Sequence, residues 1–213
     1  MLNRRLAALG AALALVGLGA TACSNSSQTA ALTVRNEHVS RSELFEELNL
    51  IVTNDAFRSA RFGQGIDANA LKGPLQTSYN QQLVSAVLGQ RVNYLVADDV
   101  LRSKGIEVTA QDRDDISKQL SQALPGVKLP PRYRSDLVEG VTRLNKLETA
   151  LGQDAALAAL QKAERSADIS VASQFGRWDP DSLQVVPPAG AHGGSTTTTT
   201  GGASGSGTGS SSG

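Results

Sequence analysis

Hydrophobic spacing divides the chain into a few periodic stretches. From Leu32 to Arg35 apolar and polar residues alternate, the period of a strand. Asn36-Glu37 reads as a turn. Ser40 and Glu43 then have the capping-box spacing, in which each side chain satisfies a free backbone donor at a helix start. Leu44, Leu48, Ile51 and Val52 share one face of the helix that follows, which is expected to reach about Phe57. Residues 58–73, with Gly63, Gly65 and Gly73, read as a loop.

Pro74 suits the first turn of a second, long helix. Its apolar positions, from Leu83 and Val84 to Val100 and Leu101, recur every three or four residues as far as Lys104, and Gly105 supplies the C-cap. Thr109 caps a third helix, with Asp112, Asp114 and Asp115 near the positive end of its dipole. Ile116, Leu120 and Leu124 mark its buried face, and Pro125-Gly126 ends it. A fourth helix begins around Pro131 and carries Leu137, Val138, Val141, Leu144 and Leu147. Gly152 interrupts it before a fifth, Asp154–Arg165. A second short alternating strand, 168–171, precedes Phe175-Gly176-Arg177-Trp178-Asp179. Isolated strands are marginal, so 32–35 is expected to pair with 168–171. The predicted class is mainly α, with a two-stranded pairing of the terminal segments.

Charge sharpens the division. The 20 basic and 20 acidic residues cancel, but 38 of these 40 charges fall within 32–183. This is the charge density of an ordinary globular domain, and it excludes a basic nucleic-acid binder and a polytopic membrane protein. Before the domain, Arg4 and Arg5 precede a 17-residue apolar run, Leu6 to Ala22, with small residues ahead of the single cysteine. Residues 1–22 therefore read as a secretory signal peptide. Leu18-Gly19-Ala20-Thr21-Ala22-Cys23 resembles a bacterial lipobox. That resemblance implies diacylglyceryl modification of Cys23, a lipid anchor, and a location at the outer face of the cytoplasmic membrane or in the cell envelope. Residues 23–31 are expected to be a flexible tether, and the uncharged Gly/Ser/Thr-rich segment 184–213 a disordered tail.

The run from Leu83 through Arg91 and Leu101 to Lys104-Gly105-Ile106-Glu107-Val108-Thr109 and Asp112 is similar to the SurA-type N-terminal chaperone domain. Members of that family show a long helix ending in a Gly-Ile-x-Val-Thr turn and then an acidic helix start. Val39-Ser40-Arg41-Ser42-Glu43-Leu44 fits the family's first helix, and Phe175-Gly176-Arg177-Trp178-Asp179 resembles its closing strand in lipoprotein members. The match covers roughly 32–180. It implies an extracytoplasmic folding factor related to SurA, the foldase PrsA and, more distantly, trigger factor, with unfolded or partly folded exported polypeptides as partners. The segment between helices three and four, Pro125 to Pro131, leaves no room for the parvulin isomerase domain such foldases carry.

Candidate chemistry is sparse. Two histidines, His38 and His192, and one lipid-bearing cysteine supply neither a zinc site nor a nucleophile–base pair of known spacing. No catalytic residue, metal or cofactor is therefore expected. Glu46-Glu47, Asp98-Asp99 and Asp114-Asp115 read as solvated helix faces or dipole partners, and Phe175 with Trp178 as a packing anchor. The expected working surface is apolar: Phe57, Phe62, Ile66 and Leu71 around the glycine-rich loop, with Leu129 and Tyr133 at the start of the fourth helix. Two other roles fit the same sequence, an adaptor lipoprotein docking one fixed partner and a residual prolyl isomerase.

Overall fold

A computed structural model describes residues 30–73 and 78–189. The expected signal peptide, Cys23, Pro74 and residues 190–213 of the expected tail lie outside them. The order is β1 (Ala30–Val34), β2 (Glu37–Ser40), α1 (Arg41–Thr53), α2 (Asp55–Phe62), a single 3-10 turn (Ala68–Leu71), α3 (Gln81–Ser103), α4 (Ala110–Ala123), α5 (Pro131–Leu151), α6 (Gln153–Ser166), β3 (Ile169–Val171), β4 (Arg177–Asp179) and β5 (Gln184–Val186). The described part is mainly helical, with a small antiparallel sheet. None of its helices is long and apolar enough to cross a membrane.

The terminal strands pair as expected, Leu32 opposite Val171 and Val34 opposite Ile169. The sheet has three strands rather than two, in the order β2-β1-β3. The reversal falls at Arg35, whose φ is 53°, and Asn36, so Glu37 already pairs with Val34 in β2. The expected domain boundaries also shift outward. Ala30 and Ala31, assigned to the tether, are buried in β1. Residues 184–186, assigned to the tail, form β5 opposite β4, with Val185 in the core.

Two helix limits differ from the hydrophobic pattern for local reasons. α1 stops at Thr53 because Asn54 leaves helical geometry and recaps the chain, its side chain accepting from the Phe57 N–H at 2.9 Å. A new helix, α2, therefore occupies part of the expected loop. The buried Arg58 side chain donates to the carbonyls of Ile51 (3.3 Å) and Val52 (3.0 Å), groups that the end of α1 would otherwise leave unpaired. At α3 the cap is Asn80, which accepts from Gln82 N–H at 2.8 Å, so the helix begins at Gln81 and not near Pro74. The predicted capping box at Ser40 and Glu43 is present. So is one at Thr109 and Asp112.

α3 is the central element. Val87, Leu88, Val92 and Val96 are fully buried, and the helix packs on α5, α6, α1 and the β1 and β5 strands. Each such side chain contributes about 1.5–3 kcal/mol on removal from water. α4 lies mainly on α5, joined by polar clasps. Arg113 donates to both oxygens of Glu139 at 2.6 and 3.1 Å, and Lys146 to Asp112 at 2.9 Å. The Lys146 hydrogen bond, with those from Thr109, lowers the Asp112 carboxyl to about 2.

Candidate functional site

Glu47 organises the interior between α1, α2, α3 and α5. It lies on the same helix stripe as Leu44, Leu48 and Ile51 and is only 2% exposed, so the expected solvated face does not hold for this carboxylate. Burial of a charge requires paired partners, and two guanidiniums supply them. Arg91 donates from Nε to Oε2 at 2.9 Å, and Arg61 from Nη1 to Oε1 at 2.5 Å. The Tyr133 hydroxyl donates to Oε1 at 3.2 Å and accepts from Arg61 at 3.1 Å. Burial alone would lower the Arg91 pKa, but the Glu47 carboxylate outweighs it and holds the guanidinium above its ordinary value. Burial likewise raises the Tyr133 hydroxyl.

From Arg61 the network runs outward. Its Nη2 donates to Gln90 Oε1 at 2.5 Å, and Gln90 Nε2 donates to the Tyr94 hydroxyl at 2.6 Å. Arg61, Gln90 and Tyr94 form one edge of a cavity of about 280 Å³ where α2, α3, α4 and α5 meet. The other walls are apolar: Phe57 and Ala60 from α2, Leu120 and Ala123 from α4, Leu124 just after it, and Leu137 and Val141 from α5. Among the described residues Arg61 is the only charged one lining it. Leu120 and Val141 are half-buried and Ala60 and Ala123 exposed, so these four form the accessible part of the walls.

Tyr94 also borders a second cavity, of about 210 Å³, lined by Glu37, Glu43, Arg91, Arg132, Asp136, Glu139 and Arg143 among others. Its charges are largely matched internally. Arg132 pairs with Glu43, and Arg143 lies 3.3 Å from Glu139 and from Asp98. A site whose ions already satisfy one another offers little to a ligand, whereas the apolar cavity presents unfilled hydrophobic wall. The latter is the candidate site. Among the described residues no group of three or more His, Cys, Asp or Glu side chains is placed to hold a metal ion.

The sequence-predicted binding residues do not form one surface. Phe57 and Tyr133 are core residues, each 3% exposed, and meet edge to face at 5.9 Å. They are buried because the Asn54 break turns α2 back and presses Phe57 against α5. Phe57 lines the candidate cavity, whereas Tyr133 supports it through Glu47. Phe62 and Ile66 are exposed, outside the cavity, and Leu71 and Leu129 are half-buried against the core. Phe175 packs in the core at 5.8 Å from Phe45, with Trp178 against the same core. Glu47 was read from sequence as solvated, and Arg61, Gln90, Arg91 and Tyr94 were not assigned to a site. Glu47 and Arg91 carried a signal: each interrupts an apolar helical stripe, where a charge needs a partner. No protein-family model, curated protein or solved structure matches this chain.

Proposed function

We propose that the protein is a membrane-anchored, extracytoplasmic chaperone-like lipoprotein. In this reading Cys23 carries the lipid, residues 1–22 are the signal peptide, and the helical domain has the SurA N-terminal type of fold. The domain acts without catalysis, holding apolar side chains of partly folded exported polypeptides. The observation that carries the reading is the apolar cavity between α2, α4 and α5, open along Ala60, Leu120 and Ala123. Side chains exposed in an unfolded client gain about 25 cal/mol per Å² of apolar surface that such walls cover. A loose, replaceable fit is what a holder of many sequences requires.

The expected result is that the protein, at near-stoichiometric amounts, suppresses aggregation of several unrelated unfolded proteins in a light-scattering assay. Leu120→Arg places a second cation in the apolar wall, where Leu120 packs against the core, and should weaken that suppression several-fold at a temperature where circular dichroism shows the variant still folded. No suppression by the unaltered protein would remove the chaperone reading. Suppression by L120R equal to that of the parent would place client binding elsewhere.

A further inference from the structure

Arg61 gives the cavity a chemical preference that apolar walls alone do not. Its guanidinium has five N–H donors. Nη1 serves Glu47 and Tyr133, and Nη2 serves Gln90 with one hydrogen. Among the described residues the Nε–H and the second Nη2 hydrogen have no acceptor. Glu47 is shared with Arg91, which also faces Asp136, so the cluster is balanced in charge and Arg61 offers the cavity unused guanidinium donors rather than a surplus of charge. Every other described lining residue is uncharged.

We infer that the cavity receives the C-terminal residue of a polypeptide, its apolar side chain against Leu120, Leu137 and Val141 and its terminal carboxylate on Arg61. This rests on the proposed client-binding role and specifies which part of the client enters. At about 280 Å³ the space lies just below the usual range for small-molecule pockets and holds one or two side chains rather than a strand. An internal acidic residue would bring peptide groups on both sides against apolar walls, leaving N–H and C=O groups unpaired. A chain end brings only one flanking peptide, and its carboxylate sits one carbon from the side chain. A fatty acid could also present a carboxylate, but a long acyl tail outruns this volume. The free donors of Arg61 suit a carboxylate, to which guanidinium bonds are charge-assisted.

The test compares two short peptides, labelled at the N-terminus and ending in Leu-Leu, one with a free carboxylate and one as the C-terminal amide. Binding to the full chain is read by fluorescence anisotropy. The amide should bind about tenfold more weakly, the size of one charge-assisted contact. Arg61→Gln should bind both peptides with the weaker affinity. Because Arg61 also supports Glu47, the comparison on unaltered protein is decisive by itself and needs no variant. Equal binding of the two peptides would overturn the carboxylate preference while leaving the apolar holding role standing. Binding of neither would overturn both. Displacement of the acid peptide by decanoate at lower concentration than by unlabelled peptide would assign the cavity to a lipid carboxylate and overturn the chain-end assignment.

Discussion

Glu47→Ala should lower stability by about 3–5 kcal/mol, the usual cost of removing one partner from a buried ion pair. For a chain of this size that is a fall in Tm of roughly 6–20 °C. The magnitude follows from the position. The Glu47 side chain is 2% exposed, those of Arg91 and Arg61 are 9% and 12% exposed, and the distances are 2.8 and 2.5 Å. Solvent screening, which reduces exposed ion pairs to near zero, has little access here. Without the carboxylate, two guanidiniums and the Tyr133 hydroxyl lose their common acceptor. Glu47→Gln keeps an acceptor but not the charge, and should fall between. A triple variant with Glu47→Leu, Arg61→Met and Arg91→Met should recover much of the loss, because apolar replacement of a whole buried ionic cluster is often neutral. Thermal unfolding followed by circular dichroism measures all three. A loss below about 1 kcal/mol for Glu47→Ala would mean that the cluster behaves as a solvated surface pair.

Gly140→Ala is expected to destabilise, against the direction of helix propensity. Gly140 lies inside α5, where alanine would ordinarily gain about 1 kcal/mol over glycine. A Cβ there would sit 2.4 Å from both Cγ and Cδ2 of Tyr94. The ring cannot simply yield, since Tyr94 is 5% exposed and its hydroxyl is held by Gln90 at 2.6 Å. Overpacking of this kind costs about 1–3 kcal/mol, enough to reverse the sign. Any movement of the ring away from α5 changes the cavity it lines. The proposed client binding should therefore weaken together with stability. A rise in Tm for Gly140→Ala would show that Tyr94 relocates freely and is not a fixed part of the cavity edge.

Much of the fold was legible wherever the deciding interaction was local. Ser40 with Glu43 and Thr109 with Asp112 specify helix starts through bonds three residues apart, and both occur where the sequence placed them. The pairing of 32–34 with 169–171 followed from alternation and the need of each strand for a partner. The misses have local causes too. Asn54 and Asn80 are caps set in helical or loop-like surroundings, and hydrophobic periodicity runs past them. β5 adjoins an uncharged low-complexity segment, so its Gln184-Val185-Val186 gave too short a signal to be separated from the tail.

The candidate site was less legible because it is assembled from four segments of the chain. Phe57 was recognised as apolar, yet its burial depends on how α2 folds back, which no periodicity encodes. Tyr94 and Gln90 sit among ordinary helix residues and acquire a role only beside Arg61 and Gly140. Glu47 and Arg91 were readable in principle as charges within apolar stripes. Their pairing across 44 residues was not.

The proposed holding of many exported polypeptides falls to the cavity where α2, α3, α4 and α5 meet. Ala123 lies at its exposed edge on α4. The direct measurement puts a photoreactive amino acid in place of Ala123 in the full chain, expressed in its native host, and identifies the crosslinked species by mass spectrometry. Many unrelated exported proteins, captured through C-terminal peptides and reduced in parallel by Leu120→Arg, are the expected result. One dominant partner, crosslinked through a folded surface and unaffected by L120R, would contradict it and favour an adaptor that docks a single protein.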